Sequence, residues 1–107
     1  MTVTVDERAP LFDALGDPNR LRIVIRLCDD GPSSTAQLTQ VISASRQAAT
    51  KHLLLMEAVG LVSSRRQGRE RIWRIEPEPL AEASDYLTTL SRRWDRAIDR
   101  LRAYVED

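Results

Sequence analysis

The sequence has little of what most catalytic and metal sites need. It contains one cysteine, Cys28, and one histidine, His52, so an intramolecular disulfide and a Cys/His zinc cluster are both excluded. There is no glycine-rich phosphate loop and no nucleophile with a matched base and orienting group, which argues against an enzyme and gives no reason to expect a cofactor. No apolar run approaches the ~18 to 20 residues of a membrane helix.

The N-terminal stretch and the overall charge exclude further classes of protein. The first ten residues are acidic and lack an apolar segment, so they do not read as a signal peptide, and we expect a cytoplasmic protein without a membrane partner. The 16 basic residues balance 16 acidic ones, which argues against a basic surface spread over the whole molecule. The chain of 107 residues is short enough to be one domain, residues 1–107.

The charges are nevertheless unevenly distributed. Residues 46–74 hold seven basic and two acidic side chains, a local charge of +5, so the remainder of the neutral chain carries −5. A concentrated basic block gives the electric field of the protein a direction and attracts an anion to one face. The alternative is a helix-and-hairpin surface whose charges are merely solvated.

The stretch from Ser45 to Ala58 has two faces of opposite character. Its apolar side, at helical spacing, consists of Ala49, Leu53, Leu54 and Met56. Its polar side, at the N-terminal end, consists of Arg46, Gln47, Thr50 and Lys51. Ser45 is a good N-cap, so the positive end of the helix dipole would face whatever meets the polar side. An anionic partner would suit that end, and a solvated amphipathic helix is the alternative.

A shorter helix is expected just before this one. Ser33 to Thr35 supplies its N-cap, Leu38, Val41 and Ile42 face inward, and Ser43-Ala44 makes a tight link to the Ser45 helix. A short helix, a turn and a second helix with a polar outer face form a helix-turn-helix, whose second helix lies in the major groove of DNA.

A basic hairpin is expected just after it. Following Gly60, a C-cap candidate, two short strands surround a turn near Gln67-Gly68, and Trp73 and Ile75 lie on one face of the returning strand. A basic ribbon tip beside a groove-reading helix would clamp phosphates or the minor groove. A charged hairpin that only adds solubility is the alternative.

Two helices are expected ahead of these elements. We expect residues 1–7 to be frayed and Arg8 to Leu15 to form a short helix with Leu11, Phe12 and Leu15 on one stripe. Asp17 as N-cap, with Pro18 at the first helical position, starts a second helix through Cys28. Its apolar stripe is made of Leu21, Val24, Ile25, Leu27 and Cys28. This stripe predicts that Cys28 is a buried, unreactive thiol.

The last helix, from about Pro79 to Val105, carries a seven-residue repeat. Leu80, Leu87, Trp94 and Leu101 recur every seven residues, with Ala83, Leu90, Ala97 and Tyr104 three further along. This apolar stripe, called the seam below, is too long for so small a domain to cover. Coiled-coil-like pairing with a second copy of the chain is the simplest explanation, although the chain's own core could cover part of the stripe. The arginines of this helix interleave with Asp95 and Asp99 and indicate a solvated or interchain salt-bridge face.

Several motifs between Leu11 and Leu80 resemble the ArsR/SmtB family of bacterial winged helix-turn-helix repressors. They are Asp17-Pro18-x-Arg20, Ser45-x-x-x-x-Thr50-Lys51-His52-Leu53, Ala58-x-Gly60-Leu61-Val62 and Gly68-Arg69, in the family's order and spacing. The resemblance implies a mainly α fold with a small β-hairpin, dimerising through its terminal helices, with residues 79–105 as the dimerisation helix. It further implies a homodimer that binds a roughly palindromic DNA operator and represses transcription until an unknown signal releases it.

The resemblance also assigns residues to surfaces. The DNA-binding set is Ser45, Arg46, Gln47, Thr50, Lys51 and His52 on the recognition helix, with Arg65, Arg66, Arg69 and Arg71 on the wing. The heptad spacing of the last helix, together with the implied pairing through the first and last helices, gives the dimer-interface set, which is Leu11, Leu87, Leu90, Trp94 and Leu101. Arg46 and Gln47 are the candidates for base contacts, since Arg pairs with guanine and Gln with adenine.

The sequence departs from the metal sensors of that family. Those proteins carry paired cysteines in the third helix, where this chain has Ser34 and Ala36, or histidine and carboxylate ligands in the last helix, which has no histidine here. We therefore expect no metal site and a metal-independent repressor. Two alternatives remain, namely a metal-responsive repressor whose site is formed by Asp and Glu of two last helices, and a winged-helix module that binds proteins.

Overall fold

The computed structural model describes residues 5–106. The elements in chain order are α1 (Val5–Leu15), α2 (Pro18–Asp30), β1 (Ser33–Ser34), α3 (Thr35–Thr39), α4 (Arg46–Ala58), β2 (Val62–Gln67), β3 (Glu70–Ile75) and α5 (Pro77–Glu106). The strands form an antiparallel sheet in the order β1-β3-β2. The predicted fold class, mainly α with a small β-hairpin in a winged helix-turn-helix, is confirmed, with β1 as a third strand that was not predicted.

The starts of the helices follow from local side-chain chemistry. The carboxylate of Asp17 accepts hydrogen bonds from the backbone N–H groups of Asn19 and Arg20, at 2.8 and 3.1 Å, and Pro18 occupies the first helical position. Ser34 forms a reciprocal capping box with Gln37 at the start of α3. These side chains satisfy backbone N–H groups that the helices cannot pair themselves.

Two helices begin earlier than predicted. α1 starts at Val5 rather than Arg8, so the predicted frayed segment is helical from its fifth residue, and residues 1–4 lie outside the described part. α5 starts at Pro77 rather than Pro79, because a proline is well tolerated where its missing N–H would have no partner.

The core lies between the helices and the inner face of the sheet. Its largest fully buried side chains are Trp73, Ile23, Leu27, Leu38, Leu53, Met56, Leu61 and Val62. The Trp73 ring is buried and its Nε1–H donates to Thr35 Oγ1 at 2.9 Å, so the polar edge of the ring is satisfied. This contact ties β3 to α3, the first helix of the helix-turn-helix.

The predicted apolar stripe of α2 is wrong in part. Ile23, Val24 and Leu27 are buried, whereas Leu21 is 44% exposed, Ile25 is 52% exposed and Cys28 is also exposed. Ile23 and Leu27, four residues apart, share the core-facing side. Leu21, Ile25 and Cys28 follow the same spacing on another side, so the prediction of a buried Cys28 thiol is overturned. A similar error affects α4, where Leu54 is half exposed while Ala49, Leu53 and Met56 are buried.

The helix α5 extends well past the rest of the molecule. Its 30 residues give it a length of about 45 Å. Only its first turns are anchored, since Glu82 accepts an ion-pair hydrogen bond from Arg8 at 2.5 Å and the Tyr86 ring lies 5.6 Å from that of Phe12. Of the α5 residues that the structure describes, Ala83 alone is buried. Within residues 5–106 no helix combines the length and apolarity needed to cross a membrane.

Candidate nucleic-acid interface

The N-terminal end of α4 is fixed by its cap and by its buried side. Ser45 Oγ accepts from the N–H of Ala48 at 3.1 Å, as the sequence predicts for an N-cap. Ala49, Leu53 and Met56 are fully buried beneath the helix. The helix therefore presents its polar side outward on a rigid base, with the positive end of its dipole at Ser45.

Three polar side chains on this end of α4 are free to meet a ligand. Arg46, Gln47 and Lys51 are exposed, and none of them forms a side-chain hydrogen bond or ion pair with the part of the chain that is described. Thr50 differs, because it is half-buried and its hydroxyl donates back to the carbonyl of Arg46 at 3.0 Å.

His52 faces the other helices as well as the solvent. Its side chain is half-buried, and Nδ1 lies 3.4 Å from a terminal nitrogen of Arg20. Arg20 also donates from Nε to the carbonyl of Ala14 at 2.6 Å and from its second terminal nitrogen to the carbonyl of Asp13 at 3.3 Å. The recognition helix is thus connected to the end of α1 through one arginine of α2.

The carboxyl of Asp17 belongs to the same neighbourhood. The hydrogen bond from the backbone N–H of Arg20 holds the pKa of the Asp17 carboxyl below its ordinary value, and the charges of Arg20 and His52 act in the same direction. Asp17 therefore remains an anionic cap for α2 at neutral pH.

The wing is a two-residue hairpin between β2 and β3. Gln67 pairs with Glu70 across the strands, so the turn is Gly68-Arg69, one residue later than predicted. Gly68 has φ of 64°, a left-handed conformation that glycine adopts without the strain of a side chain. Arg69 consequently lies at the tip.

The wing carries three exposed arginines without a partner. Arg65, Arg66 and Arg69 form no side-chain hydrogen bond or ion pair with any residue between 5 and 106. Arg66 lies directly opposite Arg71 in the strand register, and like charges in that arrangement destabilise a hairpin. An anion placed between the strands' ends would relieve this repulsion.

Arg71 is held differently from the other wing arginines. It donates to Ser64 Oγ at 2.6 Å, its guanidinium carbon lies 5.9 Å from the centre of the Trp73 ring, and Ser64 Oγ in turn donates to a carboxylate oxygen of Glu57 at 3.1 Å. The two hydrogen bonds that link Glu57, Ser64 and Arg71 join the end of α4 to the wing. Neither Glu57 nor Ser64 was predicted from the sequence, since no spacing rule places a helix-end glutamate beside a strand serine.

Arg74, the last residue of the basic block, is paired within the chain. Its Nε donates to Ser63 Oγ at 3.1 Å and to Glu76 at 3.3 Å. The hydrogen bond from the Ser63 hydroxyl lowers the pKa of the Glu76 carboxyl, and the Arg74 charge adds to the effect. Arg74 is therefore a weaker candidate for an external anion than the unpaired arginines.

The predicted partner surface on α5 is apolar and uncovered. Leu87, Leu90, Trp94 and Leu101 are all exposed, Trp94 by 67% and Leu101 by 64%. A groove of about 520 Å³ runs between Leu15 at the end of α1 and the α5 residues around Leu87. Leu11, also predicted for the interface, is only 6% exposed and packs in the chain's own core.

Across residues 5–106, no three His, Cys, Asp or Glu side chains come together as metal ligands would.

The chain is similar to several known proteins, although no family model matches it. The HTH-type transcriptional regulator Rv2034 of Mycobacterium tuberculosis is 34% identical over 87 residues, which cover 81% of this chain and 78% of the relative. The arsenical resistance operon repressor of Escherichia coli strain K12 is 28% identical over 97 residues, covering 91% and 80%.

Solved structures of transcriptional regulators are also similar to this chain. An ArsR-like transcriptional regulator from Rhodococcus sp. RHA1 has a TM-score of 0.71 and 33% identity, with 90% of each chain covered. The homodimeric winged helix-turn-helix DNA-binding domain of Mb0332 from Mycobacterium bovis has a TM-score of 0.66 at 24% identity, covering 82% of this chain and 81% of its own; that identity supports the fold alone. The helix-turn-helix, the basic wing and these similarities together show that the chain belongs to the ArsR family of winged helix-turn-helix transcriptional regulators, which are DNA-binding proteins and not enzymes.

Proposed function

We propose that the chain is a homodimeric transcriptional repressor that binds a palindromic operator without the help of a metal. The observation that carries this proposal is the set of exposed cationic and amide side chains on α4 and the wing that have no partner among the described residues. Leaving such groups unpaired gains nothing for folding. Their counterions are instead available for release when DNA phosphates replace them.

In this proposal α4 is the helix that reads bases. Arg46 and Gln47 lie in its first turn, and the N-terminal residues of a recognition helix are those that contact base edges in the major groove. An Arg side chain suits the two acceptors of guanine and a Gln side chain suits adenine. Ser45, Thr50, Lys51 and His52 would complete the contact surface around these two residues.

The wing would hold the DNA backbone. Arg65, Arg66 and Arg69 are exposed and free to move to phosphates, while Arg71 is partly committed to Ser64 and to the Trp73 ring. Phosphate contacts fix the register of a protein on the duplex without reading sequence. The hydrogen bonds of Glu57 and Ser64 would set the position of this clamp relative to α4.

A second copy of the chain would cover α5. The exposed residues Leu87, Leu90, Trp94 and Leu101 recur at heptad spacing, which is the pattern of a helix that pairs with another helix. Mb0332, which has the same fold, is described as homodimeric. Two copies related by a twofold axis would place two α4 helices on a palindromic site. The protein would act in the cytoplasm, where a bacterial chromosome lies.

Metal independence is the least typical part of the proposal. One of the relatives is named for arsenical resistance, yet this chain offers one thiol, the exposed Cys28, and its single imidazole already contacts Arg20. A thiophilic metal ion generally needs several soft ligands in a closed arrangement. The signal that releases the protein from DNA would therefore be something other than such an ion.

The test begins by sequencing the fragments of its own genome that the purified protein retains. Binding to the recovered site is then measured against salt for the wild type, for Arg65→Gln with Arg66→Gln, and for the control Arg22→Gln with Arg26→Gln, which removes the same charge from α2. We expect the wing variant to bind more weakly with a shallower salt slope, and the control to resemble the wild type. A protein-interaction module would instead show no salt-dependent DNA binding in any of the three.

A further inference from the structure

One arginine of α2 makes side-chain contacts with two other helices, α1 and α4. Arg20 lies in the first turn of α2 and its side chain is half-buried. Its guanidinium donates to the carbonyls of Ala14 and Asp13, at 2.6 and 3.3 Å, and its third contact is His52 Nδ1 on α4 at 3.4 Å. Arg22, two residues later, is exposed, and its one side-chain hydrogen bond within the described residues goes to Asn19 Oδ1 at 3.0 Å.

The carbonyl contacts have a clear physical reason. The last four carbonyls of a helix have no partner within the helix, and α1 ends at Leu15. A cation at that end also opposes the negative end of the helix dipole. Arg20 thus caps α1 from outside and fixes the place of its C-terminal turn relative to α2.

The contact with His52 determines which ring nitrogen carries the proton. A guanidinium group has N–H donors and no acceptor, so His52 Nδ1 must be the acceptor and must carry no hydrogen. In the neutral ring the proton is then on Nε2. No described residue accepts a hydrogen bond from Nε2, which leaves one N–H donor unused on α4.

We infer that Arg20 is a positioning residue for DNA recognition: it anchors α4 to α1 and holds His52 in the tautomer whose Nε2–H is offered to an acceptor on the operator. This inference rests on the proposed function of α4 as the recognition helix. The acceptor would be a phosphate oxygen or a base-edge oxygen or nitrogen, both of which accept from an imidazole N–H. The charged groups around the ring are Arg20 and the Asp17 carboxylate.

The first arm of the test observes the tautomer directly. His52 is the only histidine of the chain, so the nitrogen resonances of a ¹⁵N-histidine-labelled protein report on it without assignment. With the ring neutral, we expect a protonated Nε2 and a bare Nδ1 in the wild type and in Arg22→Met. In Arg20→Met we expect a mixture of the two tautomers. A wild-type ring protonated on Nδ1, or identical spectra for Arg20→Met, would overturn the inference whether or not the protein binds DNA.

The second arm measures DNA binding with variants that preserve one ring nitrogen at a time. In His52→Gln the amide nitrogen can replace Nε2 as a donor, whereas His52→Asn places its amide close to Nδ1 and loses the outer donor. We expect His52→Gln to bind the operator within about twofold of the wild type and His52→Asn to bind about five- to tenfold more weakly, the effect of losing one weak hydrogen bond in each protomer of the dimer. Equal binding by both variants would contradict the role of Nε2–H.

The third arm separates positioning from charge and from folding. Arg20→Met should lose about five- to tenfold in operator affinity with a smaller loss on random DNA, and Arg22→Met, which removes the same charge from the same helix, should lose equally little on both. If Arg20→Met fails to fold, the wild-type spectrum and the two His52 variants still decide the question. If Gln47→Ala also left operator binding unchanged, the proposed role of α4 would fall, while the tautomer measurement would stand on its own.

Discussion

The helices α4 and α5 are both amphipathic, but they use their apolar sides in opposite ways. α4 buries Ala49, Leu53 and Met56 inside the chain and leaves its polar side free. α5 buries Ala83 and leaves Leu87, Leu90, Trp94 and Leu101 exposed. An apolar side that the chain covers itself fixes a helix in place, whereas one that it leaves uncovered is a surface for another molecule. In the proposed function, the polar side of α4 is the surface for DNA and the apolar side of α5 is the surface for a second copy.

The largest expected effect comes from removing the exposed apolar surface of α5, the feature that distinguishes α5 from α4. Replacing Leu90 and Trp94 by Glu would place charges in the seam, where burial without a partner is unfavourable. We expect monomers whose operator affinity is lower by roughly two orders of magnitude, because the two half-sites are no longer bound together. Sedimentation and operator binding measure the two consequences.

A matched control for this variant is Ile25→Glu. Ile25 is an exposed apolar residue of α2, outside the seam, so the control adds a negative charge to a surface for which no second copy is proposed. The control should remain a dimer with nearly unchanged affinity. A wild type that sediments as a monomer at micromolar concentration would show that α5 does not pair in solution.

The sequence predicted the elements that depend on local chemistry. The caps of Asp17 and Ser45 and the glycine turn of the wing each follow from side chains within three or four residues, and the structure contains all three. It could not predict β1, because two serines are too few to show a pattern and their strand exists only through pairing with Trp73 and Ile72.

The errors in α2 have a different cause. Between Leu21 and Cys28 six of eight residues are apolar, so the pattern covers most of the helix circumference and does not single out one face. The packing of α2 against β3 and α4 decided which face is buried, and Ile23 rather than Leu21 or Ile25 lies on that face. Side-chain contacts between different elements, such as Arg20 with His52 and Glu57 with Ser64, could not be predicted from the pattern either.

The next effect in size concerns the free side of α4. Gln47 is exposed and unpaired among the residues that the structure describes, and an amide can form two hydrogen bonds with one base edge. Replacing Gln47 by Ala should cost about 1 to 3 kcal/mol on the operator and relax the preference at one base pair of each half-site. Competition with operators substituted at single positions measures this change, and the salt slope should stay nearly constant because no charge is removed.

A smaller and less selective effect is expected at the wing. Arg69 lies at the turn and has no partner among the described residues. Replacing Arg69 by Ala should weaken operator and random DNA to the same extent and lower the salt slope by about one for each phosphate that is no longer neutralised, hence by about two in the dimer. Binding at several salt concentrations provides the slope. If Arg69→Ala changed base preference while Gln47→Ala weakened all sequences equally, the roles assigned to helix and wing would be reversed.

The smallest expected effect is that of metal ions. It tests whether α5 serves the proposed pairing alone or also supplies ligands to a metal. A metal site in the last helix of the kind that the family resemblance would imply needs histidine as well as carboxylate ligands, and α5 here has carboxylates but no histidine. Cys28 is exposed on α2, and no group of three ligand side chains lies together anywhere in residues 5–106. Zinc, cadmium or arsenite at one equivalent should therefore leave operator binding unchanged, in the wild type and in Cys28→Ser alike, since one thiolate cannot form a closed site. Loss of the operator complex at stoichiometric metal in both proteins would indicate a site made by Asp and Glu of two α5 helices, and loss in the wild type alone would indicate one that includes Cys28.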